Sequence, residues 1–172
     1  MVEVKQSLIK GAGRGVFATE DIHDGKIVCE YWGKYIDLKK TKFPSSDKLL
    51  QIDENTLFCG YEKYKKPDKC GQLINDSSKI NSTNVGSIRK YYYDNSANVD
   101  VIIDSTGIYF NSIKSIKKGD ELYFKYGIPY WARKFDKKDI ELLLKNNKAF
   151  LLSLGMHEFI QSSNTQAVAS KS

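Results

Sequence analysis

The sequence predicts a mainly β domain with α structure confined to a helical C-terminal segment. Three observations predict it. Short runs of apolar or alternating residues, broken by glycine and Asp-Gly turns, fill residues 1–36 and return from Asn98 onward. After Pro129 the period changes, with Ile140, Leu143, Leu144, Phe150, Leu151 and Leu154 recurring at spacings of three, four, six and seven, as on one face of an amphipathic helix or two. The whole is 172 residues with 41% hydrophobic and 12% aromatic content, enough for one domain with a real core and a tail.

Taken in order, Val2 with Val4, then Gly15-Val16-Phe17-Ala18, then residues 26–31 read as strands of a meander, with Asp24-Gly25 as a turn. From Asp37 to about Asp68 the pattern weakens. Pro44-Ser45-Ser46-Asp47 suits a turn or a helix start, and residues 49–52 and 56–59 carry short apolar runs, so an insert of short strands and a helix is expected over about 37–70. Residues 99–104 and 108–113 are strands again, and Lys117-Lys118-Gly119-Asp120 turns the chain into a last strand, 121–125. Tyr91-Tyr92-Tyr93 suits a strand with packed rings and is assigned no chemistry. The domain is expected over 1–131 and the helical segment over 132–160, with Gly155 as a stop; 161–172 is polar and small, and is expected to be disordered.

Composition narrows the function classes. No run of about 18 apolar residues occurs, and Met1-Val2-Glu3-Val4-Lys5 lacks a basic-then-apolar secretory pattern, so a soluble, intracellular protein is expected. Cys29, Cys59 and Cys70 are too few and too scattered for structural zinc, which takes four ligands in close pairs, and no metal is expected. His23 and His157 stand alone and read as surface or packing residues. The net charge of +6 comes from lysines dispersed in pairs such as Lys39-Lys40, which describes a solvated surface. That charge supports at most a weak nucleosomal DNA contact, because there is no dense arginine stripe and no nucleic-acid fold signature.

Three segments carry the functional reading, and each alone has a plain structural one. Gly11-Ala12-Gly13-Arg14-Gly15 suits a β-turn, and its glycine spacing is not that of a dinucleotide fingerprint. Leu73-Ile74-Asn75-Asp76-Ser77 suits a polar turn, and a tyrosine ending a strand, as in Phe124-Lys125-Tyr126-Gly127, is usually packing. Together they say more. Gly13-Arg14-Gly15-Val16-Phe17-Ala18 is followed by Asp21-Ile22, Gly25, Val28 and Glu30-Tyr31-x-Gly33; Gly71 to Ser77 and Asn81 come next; then residues 116–122 lead to Tyr126-Gly127 and Tyr130-Trp131. In order and spacing this resembles the SET domain family of protein lysine methyltransferases over most of residues 8–131.

The resemblance implies a SET-type fold, short strands in several small sheets, and S-adenosylmethionine as cofactor. It implies that Gly11, Ala12 and Gly13 bring backbone close to that cofactor, as small residues permit, and that Arg14 or Lys10 pairs with its carboxylate. Asn75 would offer donor and acceptor to its amino-acid end. Asp76 stands where the family has histidine, and Ile80 where it has proline. Trp131, with Tyr130, would stack near adenine. Tyr126 takes the position of the catalytic tyrosine, while Tyr31 and Phe124 line the lysine channel, Phe124 at a position that switches how many methyl groups fit. No cysteine follows Cys70, so the cysteine-rich post-SET segment is missing and the C-terminal helices are its expected substitute.

Methyl transfer needs a neutral amine. Freeing lysine of its proton at pH 7 costs about 4–5 kcal/mol, from about 3.4 pK units at about 1.36 kcal/mol each. No histidine stands in a motif to act as base, so deprotonation through solvent is expected, with Tyr126 orienting the reacting groups. The expected partner is a protein substrate, a histone tail in this family, acted on in the nucleus and brought to the di- or trimethyl state. Two other classes stay open: a catalytically silent SET-like module that binds a chromatin partner, marked by Asp76, and a β-rich structural domain with no cofactor.

Overall fold

The computed structural model describes residues 1–64, 66–78, 80 and 88–169, with 164–169 described by backbone alone. Asn81, a later asparagine of the second motif, lies outside the described residues. The chain forms two compact units, one of residues 1–77 and 97–124, the other of 78–96 and 125–172.

Among the described residues the first unit holds eight short strands in three antiparallel sheets. β1 (Val2–Gln6) pairs with β2 (Arg14–Ala18), Val2 opposite Ala18 and Gln6 opposite Arg14. β3 (Ile27–Glu30) and β7 (Val99–Ile103) flank β8 (Ile108–Ser112). β4 (Gly33–Asp37) and β5 (Leu49–Gln51) flank β6 (Thr56–Gly60). Period-2 patterning is plain in β8, where Ile108, Phe110 and Ser112 are buried while Tyr109 and Asn111 are half-buried. The core gathers Val16, Val28, Tyr31, Phe58, Ile74, Val99, Phe110 and Leu122.

The weakly patterned insert supplies β5 and β6, which join β4 in one sheet. No helix forms at Pro44–Asp47; the nearest helical piece is a single 3-10 turn over Gly71–Leu73, beyond the insert. The last strand is also different from its expected form. Glu121 bridges Phe17 and Tyr123 bridges Asn75, each as an isolated pair, because the segment 121–124 runs between β2 and the second motif with only one or two residues facing each. Leu122 N donates to Val16 O at 2.8 Å and Phe124 N to Asn75 O at 2.9 Å, so the segment is pinned from both sides without a ladder.

Cys29 and Cys70, far apart in sequence, are both buried in this core. A hydrogen bond between the two thiols, with burial, pushes the Cys29 thiol well up, and Cys70 Sγ meets Pro67 O at 2.8 Å.

In the second unit Tyr91-Tyr92 belongs to a helix, α1 (Arg89–Tyr92), rather than a strand. Lys125 decides this: its Nζ donates to the carbonyls of Tyr91 (2.8 Å), Tyr92 (3.0 Å) and Asp94 (2.6 Å), satisfying the end of the helical turn. α2 (Ile128–Ala132) starts with Pro129 in its first turn. α3 (Lys137–Ser153) is capped by Asp136, which accepts from Asp139 N at 2.8 Å, and it buries Leu143, Asn147, Phe150 and Leu151 on one face. Gly155, at φ +72°, ends it. α4 (His157–Ala169) carries helix past residue 160, where the disordered tail was expected to begin. No glycine or proline interrupts residues 156–169, and Ile160 is buried in this unit's core with Ile80, Ile88, Tyr91, Trp131 and Leu143. Among the described residues no helix is long and apolar enough to cross a membrane.

Candidate active site

In the first unit the connection between β1 and β2 is a closed loop. Ser7 N donates to Gly13 O at 2.8 Å and Ala12 N to Ile9 O at 3.1 Å. Gly11 and Gly13 sit at φ +81° and +75°, which L side chains rarely adopt, and nothing lies within 4 Å of where a Cβ would stand. Lys10, Gly11, Ala12, Gly13 and Arg14 are all exposed. The Arg14 guanidinium lies over the Tyr64 ring, 5.5 Å from its centroid.

Asn75 reaches this loop from the second motif. Its Nδ2 donates to Arg14 O at 3.0 Å and to Glu121 Oε1 at 3.2 Å. Both partners only accept, which fixes the amide's orientation, uses both N–H groups and leaves Oδ1 as the atom available to a ligand. Both Asn75 N–H groups are thus taken up within the protein. Asp76, next along, is buried.

Glu121 is the hub that the motif reading missed. It is 2% exposed, and four donors converge on its carboxylate: Ser7 Oγ (2.7 Å) and Asn75 Nδ2 (3.2 Å) on Oε1, Leu8 N (2.8 Å) and Tyr123 Oη (3.0 Å) on Oε2. Ser7 Oγ also accepts from Ile9 N at 3.0 Å. Burial, with the hydrogen bond to Glu121 and its charge, pushes the Tyr123 phenol up to about 12, so it stays a donor at neutral pH. Asn98 holds the same segment, its Nδ2 donating to Glu121 O at 2.9 Å and its Oδ1 accepting from Tyr123 N at 2.8 Å. Gly15 is small for this reason: a Cβ there would stand 2.1 Å from Glu121 Oε1. An acidic residue between a turn and Leu122 was the available signal, but Ser7 and Leu8 lie more than a hundred residues away and Asn75 forty-six, and no local pattern names them.

The proposed channel residues share a neighbour. Tyr31 packs on Phe110 (centroids 5.9 Å) and on Phe58 (5.8 Å), and Phe124 packs on Phe110 (5.1 Å). The Gln72 side chain lies against the Gly60 position that Tyr31 also approaches. Gln72 is buried, and neither its Nε2 nor its Oε1 has a hydrogen-bond partner among the described residues.

In the second unit Tyr126 is half-buried in an aromatic cluster. Its ring lies 4.5 Å from that of Tyr130 and is stacked on Trp131 at 6.0 Å and 23°. Trp131 is buried there with Ile128 and Ala132. Gly127 N donates to the Tyr91 hydroxyl at 2.8 Å, anchoring the backbone just after Tyr126. Asp94, beside Lys125, is held down at about 2: burial pushes it up, but hydrogen bonds from Ser78 and Ser96 and the Lys125 charge outweigh that.

The family model for the SET domain matches residues 13–127, a span that holds Gly13, Arg14, Tyr31, Asn75, Asp76, Phe124 and Tyr126 and leaves Lys10, Gly11, Ala12 and Trp131 outside. The zebrafish (Danio rerio) protein N-lysine methyltransferase KMT5A-A is 27% identical over 130 residues, 69% of this chain and 33% of that protein. The chain thus spans a third of that relative. A chain in the crystal structure of the Chaetomium thermophilum polycomb repressive complex 2 superposes with a TM-score of 0.51 at 24% identity, covering 74% of this chain and 15% of that one, which is a likeness of fold.

Proposed function

The chain belongs to the SET domain family, and from that premise we propose that it is an S-adenosylmethionine-dependent protein-lysine N-methyltransferase acting on a histone tail, and hence in the nucleus. The family match over 13–127, which takes in parts of all three motifs, carries the reading.

The family uses S-adenosylmethionine, and the residues present fit its amino-acid end. The open, positive-φ loop at Gly11 and Gly13 leaves room beside backbone, Asn75 Oδ1 suits the ammonium, and exposed Lys10 or Arg14 suits the carboxylate. Trp131 is assigned to the adenine side on resemblance alone. When bound, the cofactor supplies an electrophilic methyl group on a sulfonium.

The chain's own residues do the rest. Tyr31 and Phe124, packed on Phe110, line an apolar path that strips water from the substrate amine and so favours its neutral form. Tyr126 orients the amine by hydrogen bonding. Phe124, lacking a hydroxyl, leaves room for a second and third methyl group. The C-terminal helices take the part of a post-SET segment.

The test is transfer of labelled methyl groups by the wild-type protein and Tyr126→Phe to histones, nucleosomes and non-histone lysine peptides, with product masses read by spectrometry. Transfer lost by at least about a hundredfold in the variant, with di- or trimethyl-lysine from the wild type, supports the reading. A monomethyl product overturns the role of Phe124. Cofactor binding without transfer to any substrate supports a silent binding module instead.

A further inference from the structure

Resting on the cofactor reading above, we infer that Glu121 is a positioning residue that sets Asn75 as an acceptor for a cationic amino group, the ammonium of the cofactor's amino-acid end. Glu121 as a carboxylate offers about four lone-pair sites, and the four donors from Ser7, Leu8, Asn75 and Tyr123 take them. Two of these, Ser7 and Leu8, lie at the entrance to the glycine loop, and Ser7 Oγ passes the constraint on to Ile9 N. Asn75 comes from the second motif, and Tyr123 from the segment leading to Tyr126. One buried side chain thus holds the loop and the amide in a single geometry.

The chemistry makes the arrangement specific to a carboxylate. A glutamine at 121 keeps the shape and turns one oxygen into a donor. With Nε2 in place of Oε2 it faces Leu8 N–H, donor against donor. With Nε2 in place of Oε1 it faces Asn75 Nδ2, and turning the Asn75 amide to accept from it sets Oδ1 against Arg14 O and puts N–H groups where Oδ1 stood. Either outcome spoils the acceptor or the loop beside it.

The experiment compares two neutral thioether ligands that differ only in the amino-acid end, S-adenosylhomocysteine and 5′-methylthioadenosine, by calorimetry on the wild type, Glu121→Gln and Ser7→Ala. Glu121→Gln is expected to weaken S-adenosylhomocysteine by about tenfold or more and methylthioadenosine by less than about twofold. Ser7→Ala, which leaves the Asn75 contact in place, is expected to keep the ratio of the two affinities. Equal weakening of both ligands by Glu121→Gln, or a ratio changed as much by Ser7→Ala, overturns the inference.

A readout without ligand keeps the two claims apart. In the free wild-type protein both Asn75 Nδ2 protons are hydrogen-bonded, so they are expected to exchange about tenfold or more slowly than those of exposed Asn146. Fast exchange in the wild type overturns the Glu121–Asn75 contact whatever binds. Slow exchange in a wild type that binds neither ligand leaves the contact standing and overturns the cofactor reading together with the assignment of Oδ1.

Discussion

Gly15→Ala tests how rigidly the Glu121 hub is built. The new Cβ would stand 2.1 Å from Glu121 Oε1 and 2.8 Å from its Cδ, where ordinary contact begins at 3.4 Å, so the carboxylate must retreat by about 1.3 Å, the difference between 3.4 and 2.1. Its bonds from Ser7 Oγ at 2.7 Å and Asn75 Nδ2 at 3.2 Å do not survive that movement. A hydrogen bond to a charged group contributes about 1.5–3 kcal/mol, so two lost bonds cost about 3–6 kcal/mol. Reduced freedom of the unfolded chain returns about 0.4–1 kcal/mol. The expected loss is about 3 kcal/mol, a fall in Tm of about 6–12 °C for a chain of this length.

Denaturant unfolding of Gly15→Ala beside Gly13→Ala is the assay. Gly13 has φ +75° and open space, so its variant carries backbone strain alone, about 1–2 kcal/mol. A Gly15→Ala loss below about 1 kcal/mol, or one no larger than that of Gly13→Ala, would refute the argument, because Glu121 would then have shifted without losing its partners.

Two further outcomes follow from single observations. Gln72→Met keeps the side-chain volume and removes an amide whose two polar atoms are buried without partners among the described residues, so unfolding free energy is expected to rise by about 1 kcal/mol; destabilisation instead would reveal a partner. Asp94 is depressed from 3.8 to about 2, so its contribution is fully present above about pH 4 and is lost as pH falls through about 2. The difference of about 1.8 units corresponds to about 2.4 kcal/mol, and solvent screening of this half-buried group leaves about 1 kcal/mol. Wild-type stability, compared with Asp94→Asn, should fall by that much more between pH 4 and pH 2, and parallel acid-unfolding curves would contradict the assignment.

Local pattern in the sequence was sufficient for the β-rich first unit, because alternation such as Ile108-Tyr109-Phe110 and turns such as Asp24-Gly25 are properties of neighbouring residues. The same holds for α3, whose apolar face and Gly155 stop can be counted along the chain. The order and spacing of three short segments were sufficient for the family, which the match over 13–127 bears out. Tertiary structure decided what depended on distant partners. Tyr91 and Tyr92 have strand-like propensity but lie in a helical turn that Lys125 completes from across the chain. Helix continued through residues that looked like a polar tail because Ile160 found a core. The orientation of Asn75 and the role of Glu121 were invisible in sequence for the same reason: a side chain's hydrogen-bonding capacity is set by its type, but which part of it remains for a ligand depends on partners that folding brings from distant parts of the chain.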